Sequence, residues 1–322
     1  MSDYQSDFIP TSYRLDSSSR ASIAGQDVRD GSVYVYDDPI TLAVRVALAT
    51  GRPLLLLGPP GSGKSSLAAY VARVMNWNYF EQVVTSRTKA QDLLWSFDVV
   101  RRLRDAQAQK KDLEEAERYI EPRVLWWAFN VGNALRRGAD SLPQDVKPPV
   151  VPGVLRGETY PSVVLIDEID KADPDVPNDL LVSIGSRRFR VEDTGGEVAA
   201  VQRVLVFITS NNERSLPAAF LRRCVIYRLD PPTVDRLVTI AKSHFPSNIT
   251  EGESALLDAV ARRVVEMRSA EPEPGQQPPS VAEYLDAIRA CLHFKLAPDD
   301  SALWKAISSA VLEKKTQGPQ SS

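Results

Sequence analysis

RPLLLLGPPGSGKSSLAAYVARVM, residues 52–75, contains the pattern that decides how this chain folds. Four consecutive leucines at positions 54–57 form a short apolar run that ends at glycine and proline, which is typical of a strand buried on both faces. From residue 65 to residue 75 the apolar side chains return at helical spacing. The stretch therefore predicts a buried strand, a glycine-rich turn and a helix in immediate succession.

The turn, GPPGSGKS at residues 58–65, matches the GxxxxGK(S/T) pattern of a phosphate-binding loop. Its glycines let backbone N–H groups curl around phosphate oxygens, and the N-terminus of the following helix adds positive dipole density. Lys64 is placed to reach the β and γ phosphates, and Ser65 offers a hydroxyl to Mg²⁺. We expect ATP and Mg²⁺ to bind at Gly58, Pro59, Pro60, Gly61, Ser62, Gly63, Lys64, Ser65 and Ser66.

A second apolar run, VVLIDEID at residues 163–170, ends in carboxylates and is the kind of strand expected beside a phosphate loop. Asp167 is the predicted Mg²⁺ ligand together with Ser65, and it completes the nucleotide-binding set. Glu168 is the predicted group that polarises the attacking water, because a carboxylate suits that task when it faces the γ phosphate. Asp170 and Lys171 are interpreted as a local helix start rather than as a catalytic pair.

Two further stretches supply candidate catalytic side chains. VFITSNN, residues 206–212, places Asn211 where a strand end meets the nucleotide crevice, and an amide there can orient water. LPAAFLRRC, residues 216–224, places Arg222 and Arg223 at a helix end. Because arginine donates in a planar fork and stays protonated, it suits stabilising charge on a transferring phosphoryl group, including one bound to a neighbouring subunit.

The order of these segments predicts the fold class. Short apolar runs at residues 163–166, 204–209 and 224–229 alternate with helical or polar stretches. Strands that alternate with helices predict an α/β fold, here the parallel sheet of a P-loop NTPase flanked by helices. FRVEDTGGEVAAVQRVLVF, which begins at residue 189, predicts a hairpin, and the charged residues 101–119 predict a solvated helix.

The sequence also predicts how the chain is divided. A polar N-terminal segment at 1–32 precedes an α/β nucleotide-binding domain at 33–230, which carries a charged helical insertion at about 98–120. Beyond it only helical spacing continues, so residues 231–314 are expected to form a small all-α lid domain. The polar residues 315–322 are expected to be a disordered tail.

Composition excludes several kinds of site. The net charge of −3 offers no global positive field for a nucleic-acid backbone, so nucleic-acid binding is disfavoured. Cys224 and Cys291 are too few for a disulfide framework, and only His244 and His293 are available as imidazole ligands. There is no signal-like start and no apolar run long enough for a membrane span, so we expect a cytoplasmic protein without membrane partners.

Taken together, RPLLLLGPPGSGKSS, PSVVLIDEIDKADPDVPNDLL and ITSNNERSLPAAFLRRC resemble an AAA+ ATPase of the MoxR-like family, related to the dynein-type and McrB-type modules. The resemblance covers about residues 33–296 and implies that Asn211 corresponds to sensor 1. It also implies that Arg223, or else Arg222, is an arginine finger acting across a subunit boundary. The family assembles into rings, usually hexamers, so the resemblance implies a homo-oligomer with ATP sites between protomers.

The resemblance further implies a function and exposes one departure. Family relatives work beside von Willebrand factor A proteins, and some belong to bacterial conflict or defence systems, so a remodelling ATPase acting on such a partner protein is implied. Family lids often carry a sensor 2 arginine near the start of the helix that begins PSVAEYLD. Here Val281, Ala282 and Glu283 supply no cation at that place.

Two alternatives stay open at this point. The missing sensor 2 charge favours an ATP-controlled regulatory switch or scaffold with slow hydrolysis, in which the nucleotide sets assembly or partner binding. A nucleic-acid motor would use the basic residues of the charged segment, but acids alternate with them. The basic residues concerned are Arg101, Arg102, Arg104, Lys110 and Lys111.

Overall fold

The computed structural model describes residues 7–10, 33–108, 116–139, 153–245, 250–270, 278–296 and 302–313. These residues form two compact units. The first is built from residues 7–10, 36–57 and 64–228, and the second from residues 33–35, 58–63 and the chain that follows residue 228. The domain boundaries expected from the sequence stay a prediction.

The first unit is a sheet with helices packed on it. Its helices are α1 (Asp38–Thr50), α2 (Lys64–Met75), α3 (Val99–Gln107), α4 (Val124–Phe129), α5 (Val131–Leu135), α6 (Val176–Ser186) and α7 (Ala218–Arg223). Its strands are β1 (Leu54–Leu57), β2 (Asn78–Val83), β3 (Trp95–Phe97), β4 (Ile120–Pro122), β5 (Gly153–Val154), β6 (Ser162–Asp167), β7 (Arg188–Arg190), β8 (Glu197–Ala199), β9 (Val204–Ser210) and β10 (Val225–Arg228). Short 3₁₀ helices cover Ala90–Leu93, Ala116–Tyr119 and Ile169–Lys171.

The main sheet has the strand order β10-β1-β9-β6-β2-β5. The first five strands are parallel, and only the short β5 runs antiparallel to its neighbour β2. This confirms the predicted α/β fold with a parallel sheet flanked by helices. The four apolar runs became β1, β6, β9 and β10, whereas β2 escaped detection because its sequence NYFEQV is apolar and buried only near its start.

Two smaller features of this unit were also anticipated. Strands β7 and β8 pair antiparallel and form the hairpin expected before β9. Helix α3 has no buried residue, as expected for a solvated charged helix, although residues 109–115 of the predicted insertion lie outside the described residues. Trp126 and Trp127 are fully packed in the core, together with Phe129.

The register of the main sheet determines which strand ends lie next to one another. Leu57 at the end of β1 pairs with Ser210 at the end of β9, and Ile166 of β6 pairs with Ile208. In a parallel sheet all carboxyl ends lie at one edge. Leu57, Asp167 and Ser210, the last residues of β1, β6 and β9, therefore lie at the same edge. The first residue of β10, Val225, pairs with Leu54, so the helix α7 before it ends at the opposite edge.

Within the described residues that follow residue 233, the second unit is mainly helical. Its elements are α8 (Val234–His244), α9 (Glu251–Ser269), α10 (Val281–Phe294), α11 (Ala302–Ile307) and a π-helical turn at Ser308–Leu312. Apolar side chains from α8, α9 and α10 form its core, for example Leu237, Val260 and Ile288, all of which are fully buried. The helical spacing of the sequence after residue 230 therefore predicted these elements correctly.

Neither cysteine is part of a disulfide or a reactive site. Cys224 and Cys291 are both free and buried. Burial raises the pKa of the Cys224 thiol to about 12 and also raises the pKa of Cys291, so both remain protonated and inert. In the described ranges, no helix has both the length and the apolar character that a bilayer crossing requires.

Asn78 at the start of β2 fixes the chain beside the sheet. Its amide donates to the carbonyls of Gly157 and Tyr160, both at 3.0 Å. Its oxygen accepts from the backbone N–H groups of Arg156 at 2.7 Å and Gly157 at 3.2 Å. The side chain is completely buried, so it satisfies four backbone groups of one turn that water cannot reach.

Replacing Asn78 should therefore destabilise the first unit. We expect Asn78→Ala to lower its unfolding free energy by about 3 kcal/mol, because several buried polar groups lose their partners. Urea unfolding followed by tryptophan fluorescence measures this. Gln82→Ala is the matched control, because Gln82 lies on the same strand, is half-buried and makes one 3.3 Å bond to the Asp92 carbonyl. Equal losses for the two variants would contradict the assignment.

Candidate nucleotide site

Asp167 and Ser65 meet at the carboxyl edge of the sheet, as predicted. The Ser65 hydroxyl, in the first turn of α2, lies 2.8 and 3.0 Å from the two carboxylate oxygens of Asp167 at the end of β6. Asp167 is buried, with a relative exposure of 6%. A buried carboxylate bonded to a serine hydroxyl is an oxygen-rich pair held ready for a hard cation.

Thr209, near the end of β9, connects this pair to the predicted catalytic glutamate. Its hydroxyl donates to Asp167 Oδ1 at 2.5 Å and accepts the backbone N–H of Glu168 at 2.9 Å. The side chain is fully buried. One hydroxyl thus fixes both the carboxylate rotamer of Asp167 and the backbone of the next residue.

That backbone needs support because Glu168 adopts a left-handed conformation, with φ 61° and ψ 48°. Such a conformation is uncommon for residues with a side chain and is retained only where neighbours impose it. It turns the chain sharply after β6, out of the strand and into the 3₁₀ helix Ile169–Lys171. The Glu168 carboxylate is directed accordingly toward the ends of the adjacent strands.

Both oxygens of Glu168 are engaged. Asn211 Nδ2 donates to Oε1 at 3.2 Å, and Lys171 Nζ lies 2.7 Å from Oε2. The hydrogen bond to Glu168 raises the pKa of Lys171, so the lysine is protonated at neutral pH. The structure thus brings Asn211 to the glutamate, as the sequence suggested, and adds a cation from the same short helix.

Asp170 holds the loop that carries Asn211. One of its carboxylate oxygens accepts the backbone N–H groups of Asn211 at 3.1 Å and Glu213 at 2.9 Å. Asp170 is 3% exposed, and its other oxygen is buried without a hydrogen-bond partner among the described residues. Asp170 and Lys171 do lie in a short helix, as expected, but they also position the two predicted catalytic side chains.

Lys64 is buried beside these acids. Its relative exposure is 5%, and burial lowers the pKa of its ammonium group. The charges of Asp167, Asp170 and Glu168 oppose part of that shift. A lysine that has already lost much of its water has less hydration to give up when it binds a phosphate.

Residues 58–63 of the phosphate loop, which precede Lys64, belong to the second unit. Gly61 has φ 69°, and a Cβ atom there would lie 2.2 Å from the Cβ of Ser280. A Cβ on Gly58 would lie 2.5 Å from the Leu229 carbonyl oxygen. Only glycine fits at either position. The Ser62 Oγ is buried and makes no hydrogen bond within the described parts of the chain, so it remains available for a phosphate oxygen.

The start of α10 contacts Gly61 but brings no cation of its own. Ser280 caps this helix, and the Glu283 carboxylate accepts the Ser280 N–H at 2.6 Å in a capping box. Arg268 at the end of α9 donates to the carbonyls of Pro279 at 2.7 Å and Pro232 at 3.3 Å. Arg268 therefore supports the turn that places Ser280 at the start of α10. The start of this helix is where family lids often carry the sensor 2 arginine.

Arg222 and Arg223 are not part of this cluster. Both are exposed at the end of α7, on the opposite edge of the sheet from Asp167, Glu168 and Asn211. Among the described residues, neither arginine side chain makes a hydrogen bond, an ion pair or a ring contact. The structure thus groups the carboxylates, the amide and the lysine, and places the two arginines elsewhere.

Three residues of the cluster were not assigned to the site by sequence reasoning. Thr209 was noted only as lying at the crevice, and Asp170 and Lys171 were interpreted as a helix start. The positions of Asp170 and Lys171, two and three residues after Glu168 in a run of charged residues, were the available signal. Asp170 accepts hydrogen bonds from residues that follow strand β9, which local patterns do not report, whereas Lys171 contacts Glu168 three residues earlier.

The donor set fits Mg²⁺ that arrives with a nucleotide. Among the described residues no group of three His, Cys, Asp or Glu side chains could enclose a metal ion. Mg²⁺ usually takes one or two protein oxygens and completes its shell with water and phosphate. The Ser65 and Asp167 oxygens meet that requirement, whereas a protein-only metal cage would need more ligands.

Comparison with known proteins finds a matching family and several similar structures. The family model of the AAA domain (dynein-related subfamily) matches residues 53–224. Solved structures of RuvB from Thermotoga maritima are similar in fold. One point mutant is 16% identical, covers 88% of this chain and 72% of that chain, and has a TM-score of 0.49. Another structure, titled a Holliday junction branch migration motor, is 16% identical over 85% of this chain and 67% of that chain, with a TM-score of 0.44. No curated protein sequence matches the chain.

The shared hydroxyl of Thr209 provides a test of the site. We expect Thr209→Val to reduce ATP turnover by about 10- to 100-fold, because hydrogen bonds to charged groups contribute roughly 1.5–3 kcal/mol. Steady-state turnover at saturating ATP measures this, and ATP affinity should change much less. Thr209→Ser, which keeps the hydroxyl, is the control and should retain most activity. Equal losses in both variants would refute a role for the hydroxyl.

Proposed function

Because this chain belongs to the dynein-related subfamily of AAA domains, we propose that it is a ring-forming, MoxR-like ATPase that remodels or activates a partner protein. The chain is a P-loop ATPase of the AAA+ class, and such ATPases typically assemble into rings. The proposal concerns what this particular ATPase builds and what it does with hydrolysis. It assigns the predicted site residues to specific roles.

The observation that carries the proposal is the separation of the arginines from the acids. Asp167, Glu168 and Asn211 follow the carboxyl ends of their strands, whereas Arg222 and Arg223 precede the amino end of β10. Strand β1, which pairs with β10, alone spans roughly 10 Å between these edges. The arginines of one chain are thus directed away from its own carboxylates. An exposed arginine pair there suits the nucleotide of a second copy, which supports a composite site.

Within one site the residues have complementary tasks. The loop at residues 58–65 holds the phosphates through backbone N–H groups, Lys64 and the Ser62 hydroxyl. Glu168 accepts a hydrogen bond from the attacking water and polarises it, and Asn211 orients that water and the carboxylate. When bound, Mg²⁺ neutralises phosphate charge next to Ser65 and Asp167. Arg223 of a neighbouring subunit, with Arg222 as the alternative, stabilises charge on the transferring phosphoryl group.

The contacts of Glu168 favour slow ATP hydrolysis by the unassembled chain. Its oxygens are occupied by Asn211 and Lys171, so a water molecule must compete with a protonated lysine for the carboxylate. The pair is partly exposed, and such ion pairs contribute at most about 1 kcal/mol. Nucleotide binding or assembly can therefore replace this ion pair with other contacts to the Glu168 carboxylate. This agrees with an ATPase that works weakly alone and better when assembled.

The contacts of Glu168 also support a second function, an ATP-controlled switch or scaffold with slow hydrolysis. In a remodelling machine, a hydrolysis-deficient variant binds its partner but does not process it; in a switch, the variant holds the partner-bound state permanently. The proposed partner is a protein, with von Willebrand factor A proteins and defence-system effectors as the classes to examine. Comparing binding with processing for one such partner separates the two functions.

A nucleic-acid motor receives little support from α3. Arg101 and Arg102 lie over the rings of Tyr119 and Phe97, at 6.0 and 5.6 Å, and Asp105 accepts from the Tyr119 hydroxyl. These arginines are thus used in packing against aromatic rings. Lys110 and Lys111 lie outside the described residues.

Glu168→Gln should abolish turnover while preserving ATP binding. We expect a reduction of about 100-fold or more, because the amide cannot accept a proton as the carboxylate can. Turnover per chain of the wild type should rise with protein concentration as subunits meet. Coupled phosphate-release assays across a dilution series, with sedimentation to follow assembly, measure both. A concentration-independent wild type or a fully active variant would rule out the proposal.

Trans action of the arginine can be tested by mixing two inactive variants. Arg223→Ala keeps its own phosphate loop but supplies no arginine, whereas Lys64→Ala keeps the arginine but binds ATP poorly. Each alone should lose most turnover, about 1000-fold for an arginine finger. A mixture should recover part of it, because a Lys64→Ala subunit can serve a neighbour with an intact loop. Recovery with Arg222→Ala but not with Arg223→Ala would assign the role to Arg222. No recovery in either mixture would refute trans action.

A further inference from the structure

Arg52 lies where the chain enters β1 and contacts the helix that carries the two exposed arginines. Its Nε–H donates to the carbonyl oxygen of Arg223 at 3.1 Å. Its Nη2 group donates to the carbonyl oxygen of Arg222. One guanidinium thus spans two consecutive backbone carbonyls at the end of α7. Arg52 is separated from these residues by more than half the chain, so this contact exists only in the folded protein.

Helix α7 is short, and its contacts with the core are made by Phe220, by the partly buried Leu221 and by Cys224 directly after it. It runs only from Ala218 to Arg223, has no side-chain cap at its start, and buries only Phe220. A helix of this length is not stable by itself. The last carbonyls of any helix lack partners within it and carry partial negative charge, so a cation that bonds two of them satisfies both requirements.

The neighbouring residue completes the attachment. The carbonyl of Pro53 accepts the N–H of Val225 at 2.9 Å, which begins the pairing of β10 with β1. The dipeptide 52–53 therefore holds both the end of α7 and the start of β10. Since the side chains of Arg222 and Arg223 have no partner among the described residues, only this backbone determines where they start. Strand β1 leads directly to the phosphate loop of the same chain.

We propose that Arg52 is the positioning residue of the trans-acting arginine: it fixes the backbone of Arg222 and Arg223 so that the finger reaches the neighbouring subunit's phosphates. This rests on the proposed function, in which one of those arginines completes a neighbour's site. Arg52 contacts no substrate in this role. Lysine is a poor substitute, because an ammonium group lacks the planar fork that spans two carbonyls.

The experiment compares Arg52→Ala and Arg52→Lys with Arg203→Ala as a matched control. Arg203 is also exposed and also donates to a backbone carbonyl, that of Leu48 in α1 at 3.4 Å, and its guanidinium lies over the Trp77 ring; both of these contacts are outside α7. For each variant one measures turnover at saturating ATP and protein, KM for ATP, and assembly by sedimentation. Melting temperature is recorded for each, and Arg52→Gln takes the place of the alanine variant if that variant unfolds at the assay temperature.

We expect Arg52→Ala to lower turnover by about 10- to 100-fold, the size of effect that a displacement near 1 Å produces, with KM and assembly nearly unchanged. Arg52→Lys should fall between it and the wild type, and Arg203→Ala should match the wild type. The double variant Arg52→Ala/Arg223→Ala should be no slower than Arg223→Ala, because a missing finger needs no positioning.

The results separate the two proposals. If Arg222→Ala or Arg223→Ala reduces turnover while Arg52→Ala behaves like Arg203→Ala, the positioning role is overturned and the composite site stands. If neither Arg222→Ala nor Arg223→Ala reduces turnover, the composite site fails, and the positioning role fails with it. Additive losses in the double variant would show that Arg52 acts on something other than the finger, which also overturns the inference.

Discussion

The Thr209 hydroxyl, shared between the carboxylate of Asp167 and the N–H of Glu168, is the contact on which the candidate site depends. It joins β9 to β6 at the point where β6 ends and the chain turns through a left-handed residue. The pairing of the two strands brings it within reach, since Ile166 and Ile208 are in register immediately before it. Without that hydroxyl, the Glu168 N–H would lose the hydrogen bond that holds it at the turn directing its carboxylate.

The remaining polar groups reinforce the same arrangement from two sides. Asp170 binds the backbone of the Asn211 loop, and Lys171 and Asn211 bind the Glu168 carboxylate. Lys64 is buried beside these acids with its pKa lowered by desolvation. Buried hydrogen bonds therefore hold Asp167, Thr209 and Asp170 in place. The central glutamate is held by a partly exposed ion pair that other ligands can displace.

A parallel sheet has two chemically different edges, and this chain uses both. The carboxyl edge gathers Asp167, Glu168 and Asn211, the groups proposed to hold and activate a nucleotide, and the amino edge presents Arg222 and Arg223 beside Arg52. Strand β1, which pairs with β10, spans the distance between these edges, so the carboxylates and the arginines of one chain lie at different edges. The proposed composite site joins the arginines of one subunit to the carboxylates of another.

The sequence by itself determined the fold class and the chemically specific residues. Continuous apolar runs predicted β1, β6, β9 and β10, and the motif spacing predicted the phosphate loop, Asp167, Glu168 and Asn211. Strand β2 was missed because only its first half is buried. The roles of Thr209 and Asp170 were missed because their partners come from another strand, whereas Lys171, which contacts Glu168 three residues earlier, was interpreted only as part of a helix start. Only the tertiary structure decided those contacts, and only it placed Arg52 against the carbonyls of Arg222 and Arg223. The physical reason is that local patterns record burial and turn preference, whereas hydrogen bonds between distant segments depend on sheet register, which no local pattern encodes.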